Sequence, residues 1–199
     1  MAILFLIIPL IVLVFSAILH EIAHGYIADL LGDPTARISG RLTLNPLAHL
    51  DPLGTIALLI FHFGWGKPVE FDPYNLRNPR QDSAIISLAG PASNLILAVL
   101  LSLALRFLPL PYTLIAITQT LITINVILAI FNLVPVYPLD GEKILTGILP
   151  KNLAYEYASV MRSYGTIILI LMIFPIFGGT SPISSLITPA VSFVTSLLL

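Results

Sequence analysis

The sequence predicts an all-α membrane protein, a polytopic helical bundle with one short membrane-associated strand or re-entrant segment. Three observations predict it. Of the 199 residues, 57% are hydrophobic and only 10% are charged, whereas a soluble domain carries roughly 25% charged residues; mean hydropathy is +1.00. Several apolar runs reach the roughly 20 residues that a helix needs to cross a bilayer. The polar loops between them are too short to enclose a soluble core, so residues 1–199 are read as one integral-membrane domain. A net charge of −1 and the lack of a basic tract leave nothing to meet a phosphate backbone, so no nucleic-acid partner is expected. The chain has no cysteine, which excludes disulfides, a thiolate metal site and a cysteine nucleophile.

Taken in order, Met1 opens an apolar run with no Lys or Arg before it. The charged start of a signal peptide is missing, and the first segment is expected to stay as a helix. Ala2 to Leu31 gives a span of about 30 residues with Pro9 as a candidate kink, and Gly32-Asp33-Pro34 ends it. Residues 33–80 are polar and rich in Gly and Pro. Within them Leu53–Phe63 is apolar but too short to cross as a helix, which suits a re-entrant or interfacial piece. Gly64 to Phe71 reads as a short extended strand, with Trp65 suited to the headgroup layer and an edge able to pair with an unwound substrate. An ordinary interfacial loop fits the same residues equally well.

Ala84–Phe107 is the second full span and carries Gly90-Pro91-Ala92-Ser93-Asn94 near its start. Tyr112–Val134 is the third, and Pro135 and Pro138 break the helix ahead of Asp140. Lys143–Arg162 is amphipathic and is placed on the membrane surface. Gly165–Phe177 is a fourth apolar segment, short for a span unless it begins upstream. Ile183–Leu199 is another, interrupted by Pro189. Arg37, Arg41, Lys67, Arg77 and Arg80 fall between the first two full spans, and Lys143, Lys151 and Arg162 follow the third, leaving Arg106 alone on the other side. Positive residues collect on the cytoplasmic side. The chain is therefore expected to be a multi-pass protein of the cell membrane whose first helix runs outside to inside.

Near the end of that first helix stands His20-Glu21-Ile22-Ala23-His24. Positions i and i+4 share a helix face, so His20 and His24 can turn two imidazoles toward one metal ion. Glu21 beside them is placed to take a proton from an attacking water. Ionisable groups inside an apolar span are costly and usually functional, which favours a metal site over a merely wet helix end. Zinc suits such a set and usually takes three protein ligands. The usual follow-on residues of soluble metalloproteases are missing: Ile27 and Leu30 stand where one class needs Gly and His, and no Glu occurs between Glu21 and Glu70. His49, His62 and the remaining carboxylates are the candidates. Asp140 is preferred because it follows an apolar span and a helix break and shares the depth and side of His20 and His24; His49 is second.

Together, the His20–His24 segment, Gly90-Pro91-Ala92-Ser93-Asn94 and Asn132 through Asp140-Gly141 resemble the site-2 protease family of intramembrane zinc metalloproteases. The three motifs follow in the family's order on three successive spans, covering about residues 2–145. The resemblance implies one catalytic Zn²⁺ held by His20, His24 and Asp140, with Glu21 as general base. It implies that Asn132 holds substrate or stabilises the oxyanion, and that Asn94 contributes to helix packing or substrate binding. It also implies a compact form without a PDZ domain, with accessory helices over about residues 150–199. A membrane-anchored protein substrate is the implied partner, a regulator or a signal-peptide remnant; the Lys and Arg distribution, not the resemblance, places the site toward the cytoplasmic side. A metal-binding membrane carrier or receptor without hydrolytic activity is the alternative, although it has no use for Glu21 and no paired repeat halves appear.

Overall fold

The computed structural model describes residues 2–61, 66–175 and 179–199. Among these residues the architecture is helical, with α1 (Ala2–Leu30), α2 (Thr35–Ile38), α3 (Pro52–Phe61), α4 (Pro79–Phe107), α5 (Tyr112–Asn132), α6 (Asp140–Ile148), α7 (Lys151–Ile173) and α8 (Pro182–Leu198). Four segments are long and apolar enough to cross a membrane: Ile7–Leu30 of α1, and the whole of α4, α5 and α7. Helix α4 is the centre of the bundle, packing on α1, α5 and α6, while α8 lies against α5 and α7. Ile18, Ile86, Ile122 and Val126 are fully buried between these helices.

The helix ends follow local chemistry. Gly32 takes a left-handed backbone (φ 108°) just after α1, and the Asp33 N–H returns to the Ala28 carbonyl at 2.9 Å, which closes the last turn. Helix α4 starts at Pro79, ahead of the Ala84 expected from apolarity alone. Proline suits a first turn, and the Asp82 carboxylate accepts the Asn78 N–H at 2.8 Å, so a polar first turn precedes the apolar run. Pro91 sits inside α4 without ending it.

Three expectations change. The single surface helix expected over Lys143–Arg162 is two helices, α6 and α7, parted at Leu149-Pro150, where proline cannot continue a helix. Arg80 caps the end of α6 by donating to the carbonyls of Thr146 and Leu149. Helix α7 consequently begins at Lys151, upstream of the apolar segment, and so gains the length of a span. Helix α8 runs through Pro189 without interruption. The strand expected over Gly64–Phe71 does not form among the described residues. Gly66 makes an isolated antiparallel bridge with Leu50, and the Lys67 N–H donates to the His49 carbonyl at 2.8 Å. Arg41 then takes the carbonyls of Lys67 and Pro68 at 2.8 and 2.9 Å, and Pro68 has no N–H, so the ladder stops there. Gly64 and Trp65 lie outside the described residues, as do His62 and Phe63 beyond the ten-residue helix α3.

Candidate metal centre

Helix α1 sets Ser16, His20 and His24 on one face, each one helical repeat from the next. His20 and His24 are 6% and 8% exposed. The irregular turn after α5 returns the chain so that Asp140, first residue of α6, meets both rings. Its Oδ2 lies 3.0 Å from His20 Nε2 and 3.3 Å from His24 Nε2. The rings stand edge to face, 4.6 Å between centroids. One ligand atom from each residue lies within 4.8 Å of the other two. A tetrahedral ion with bonds of about 2.0–2.2 Å holds its ligand atoms roughly 3.3–3.6 Å apart, a spacing that the two histidine–aspartate pairs already approach.

Three further observations support the fit. The His24 Nδ1 donates to the Ile86 carbonyl at 2.7 Å, and the His20 Nδ1 donates to Asn94 Oδ1 at 2.6 Å. Each bond puts the proton on Nδ1 and leaves the Nε2 lone pair facing Asp140, the arrangement that metal-ligating imidazoles require. On α4, a Cβ at Gly90 would collide with the Nε2 atoms of both rings, so the missing side chain keeps the ligand space open. Two imidazoles with a carboxylate form a donor set that zinc accepts.

A cavity of about 130 Å³ opens on the triad. Glu21 lines it, and its Oε2 accepts the Val69 N–H at 2.7 Å. Asn132, last residue of α5, also lines it and spends one amide hydrogen on the Leu128 carbonyl at 2.9 Å. Asn94, named above for packing or substrate contact, stands behind the site at 1% exposure. Its amide nitrogen donates to Asn125 Oδ1 at 2.8 Å and to the Ser16 carbonyl at 3.3 Å, leaving no face toward a substrate. His49 is not in the cluster; it is buried with its Nε2 on the Thr43 carbonyl at 2.8 Å. His62 lies outside the described residues.

Two residues with polar side chains on the cavity wall are not among the candidates read from the sequence. Ser87 lies on α4 one turn before Gly90, and Lys143 lies on α6 one turn after Asp140, its ammonium 4.4 Å from the centroid of the Phe71 ring. The spacing of three between Asp140 and Lys143 is a helical signal that was legible in the sequence.

Comparison with known proteins adds to this geometry. The profile described as "Peptidase family M50" matches residues 109–173. "Putative zinc metalloprotease YwhC" of Bacillus subtilis (strain 168) is 40% identical over 177 residues, covering 83% of this chain and 80% of that protein. "Zinc metalloprotease MJ0392" of Methanocaldococcus jannaschii is 28% identical over 145 residues, 73% of this chain but 35% of that protein. "Putative zinc metalloprotease Rip2" of Mycobacterium tuberculosis (strain ATCC 25618 / H37Rv) is 31% identical over 172 residues, covering 82% and 66%. No solved structure matches the chain.

Proposed function

The chain belongs to peptidase family M50, the site-2 proteases, and on that premise we propose that this multi-pass zinc metalloprotease hydrolyses peptide bonds within or beside the spanning segment of a membrane-anchored protein. The observation that carries the reading is the meeting of two buried imidazoles of a spanning helix, His20 and His24, with the half-buried carboxylate of Asp140, and with Glu21 at the same cavity. His20, His24 and Asp140 would hold the ion, and zinc there supplies a Lewis acid that polarises a carbonyl and lowers the pKa of water to about 7.

The remaining work falls to side chains. Glu21 takes the proton of the attacking water and delivers it to the leaving amine. The Val69 N–H holds the Glu21 carboxylate at 2.7 Å in its place on the cavity wall. Asn132 keeps a second amide hydrogen for the substrate carbonyl or the oxyanion that forms from it. Asn94 fixes His20 from behind. A helical substrate hides its carbonyls in its own hydrogen bonds, so it unwinds locally before attack. Every cavity-lining residue falls between His20 and Lys143, which supports a catalytic core of about residues 2–145 with α7 and α8 as accessory helices. The distribution of Lys and Arg supports a cell-membrane protein with the site toward the cytoplasm. A regulator or a signal-peptide remnant is the substrate class.

The test pairs two measurements, zinc content and cleavage of a membrane-spanning reporter, on the parent protein and Glu21→Gln in one detergent. The variant should keep its zinc and lose about 10²–10⁴-fold in rate. Cleavage at the parental rate would remove Glu21 from the mechanism. A parent that binds zinc and cuts no reporter while moving metal across vesicles would return the carrier alternative.

A further inference from the structure

Behind the metal triad, a chain of amides crosses from α1 through α4 to α5 inside the apolar part of the bundle. Asn94, Asn125 and Ser16 are 1%, 0% and 1% exposed. We propose that Asn125 is a positioning residue of the metal centre: it orients the Asn94 amide and, through it, decides which nitrogen of His20 carries the proton. The inference rests on His20 being a zinc ligand and goes beyond that reading by naming what makes it one.

The direction of the chain is set at its far end. Asn125 places its nitrogen 2.8 Å from the Leu121 carbonyl, which can only accept, so its Nδ2 must face that way. The same nitrogen donates to Ser16 Oγ at 2.9 Å. Asn125 Oδ1 is then committed to the other side, where Asn94 Nδ2 meets it at 2.8 Å. With its nitrogen so placed, Asn94 presents Oδ1 to His20, and His20 must bring Nδ1–H to it at 2.6 Å. Nε2 is left with a lone pair facing Asp140. A reversed Asn94 would give His20 an N–H instead, moving the ring proton to Nε2 and spoiling the ligand. Reversal is opposed because it would set Asn94 Oδ1 against Asn125 Oδ1 and the Ser16 carbonyl. The Ser16 contact is the longer one, at 3.3 Å, so Asn125 provides most of the opposition. His24 needs no such relay, since the Ile86 carbonyl fixes it in one step.

A packing role for Asn125 predicts a different ranking of variants. Leucine keeps the branching and heavy-atom count of asparagine and suits an apolar span, whereas a carboxylate there is costly. The positioning role predicts the reverse. Asn125→Asp keeps an acceptor for Asn94 Nδ2, and Asn125→Leu removes it.

The experiment uses the full chain in detergent, with zinc affinity read by competition against a chromogenic chelator and the melting of the metal-free protein recorded beside it. Asn125→Leu should bind zinc about tenfold more weakly than the parent, within the range seen for groups that orient a ligand. Asn125→Asp should stay closer to the parent. Equal affinity in parent and Asn125→Leu, or a larger loss in Asn125→Asp, would overturn the proposal. A double-variant cycle adds a measurement independent of overall stability. Asn94→Asp has no amide to turn, so adding Asn125→Leu to it should cost no further affinity; additive losses would mark a packing role and overturn the proposal. If Asn125→Leu does not fold, Asn125→Ala is read in the same way. A parent protein without zinc affinity would overturn the metal-centre reading itself, an outcome distinct from failure of Asn125 alone.

Discussion

The two walls of the metal site are held by different chemistry. The back wall, on α4 and α5, uses neutral groups: the Ile86 carbonyl on His24, and the amides of Asn94 and Asn125 behind His20. The front wall, residues 66–75, is tied by charges. Arg41 is 8% exposed and donates to the carbonyls of Ala48, Lys67 and Pro68. Asp33 accepts the N–H of Asp72 at 2.7 Å, the Asn75 amide at 2.7 Å and the Thr35 hydroxyl at 2.5 Å. Glu21 accepts the Val69 N–H. The difference follows from solvent. Within the spanning part an ion costs several times what a satisfied amide does, whereas at a helix end polar loops share the charge. Ligand orientation is therefore assigned to neutral groups, and loop placement to charged ones.

The largest effects should come where the back wall meets the ion. Removing any ligand, as in His20→Ala, His24→Ala or Asp140→Ala, should abolish tight zinc binding and cleavage, read by metal analysis and a membrane-spanning reporter. Full zinc with full activity in Asp140→Ala would break the triad and reopen the choice of third ligand. Gly90→Ala comes next. Its new methyl would occupy the space of both Nε2 atoms, and a displacement of about 1 Å at such a centre can cost 10²-fold in rate. Parental zinc affinity in Gly90→Ala would mean that α4 gives way, so that the back wall is less rigid than the comparison holds.

Front-wall changes should spare the metal. Arg41→Ala strips three carbonyls of a charged donor and should destabilise the protein by about 2–3 kcal/mol. Cleavage should fall about tenfold as the segment beside Glu21 loosens, while zinc affinity stays within twofold or so of the parent. A matching loss of zinc would erase the distinction between the walls.

The smallest effect concerns pH. Burial works to raise the Asp33 carboxyl, but hydrogen bonds from Thr35, Asn75 and Asp72 outweigh it and hold the group below its ordinary value. Its stabilisation is therefore fully present above the unfolded pKa of about 3.9 and is lost as pH falls through the folded value. Thermal melts of parent and Asp33→Asn should differ by a constant amount from about pH 5 to 7 and converge below about pH 4. Curves that stay parallel to low pH would remove Asp33 as a front-wall tie.

Much of this was legible beforehand, for reasons that differ by element. The spans of α1 and α5 were read within a few residues, because apolarity in a bilayer-length run has few other uses. His20 and His24 were legible as neighbours because a helical spacing of four fixes their relation locally. Where polarity masked helix, as at Arg80 and Asp82 in the first turn of α4, the boundary was missed. The Gly64–Phe71 reading leaned on residue type, and the side chain of Arg41, remote in sequence, stopped the ladder. Asn125 went unremarked among apolar neighbours, although an amide in mid-span is itself a signal.

By itself the sequence determined the membrane class, the order of the spans and the chemistry on each: two imidazoles and a carboxylate on α1, small residues and an amide on α4, a broken helix before Asp140. Those depend on composition and on contacts within one helical turn. Tertiary structure alone decided how the pieces meet. It brought Asp140 to His20, 120 residues away, and to His24 beside it, set Asn94 as the group behind His20, and gave Asn125 its place in line. Which side chain faces which across three packed helices depends on their rotation and depth, set by the summed packing of Ile18, Ile86, Ile122 and Val126 between them, and no local pattern carries that information.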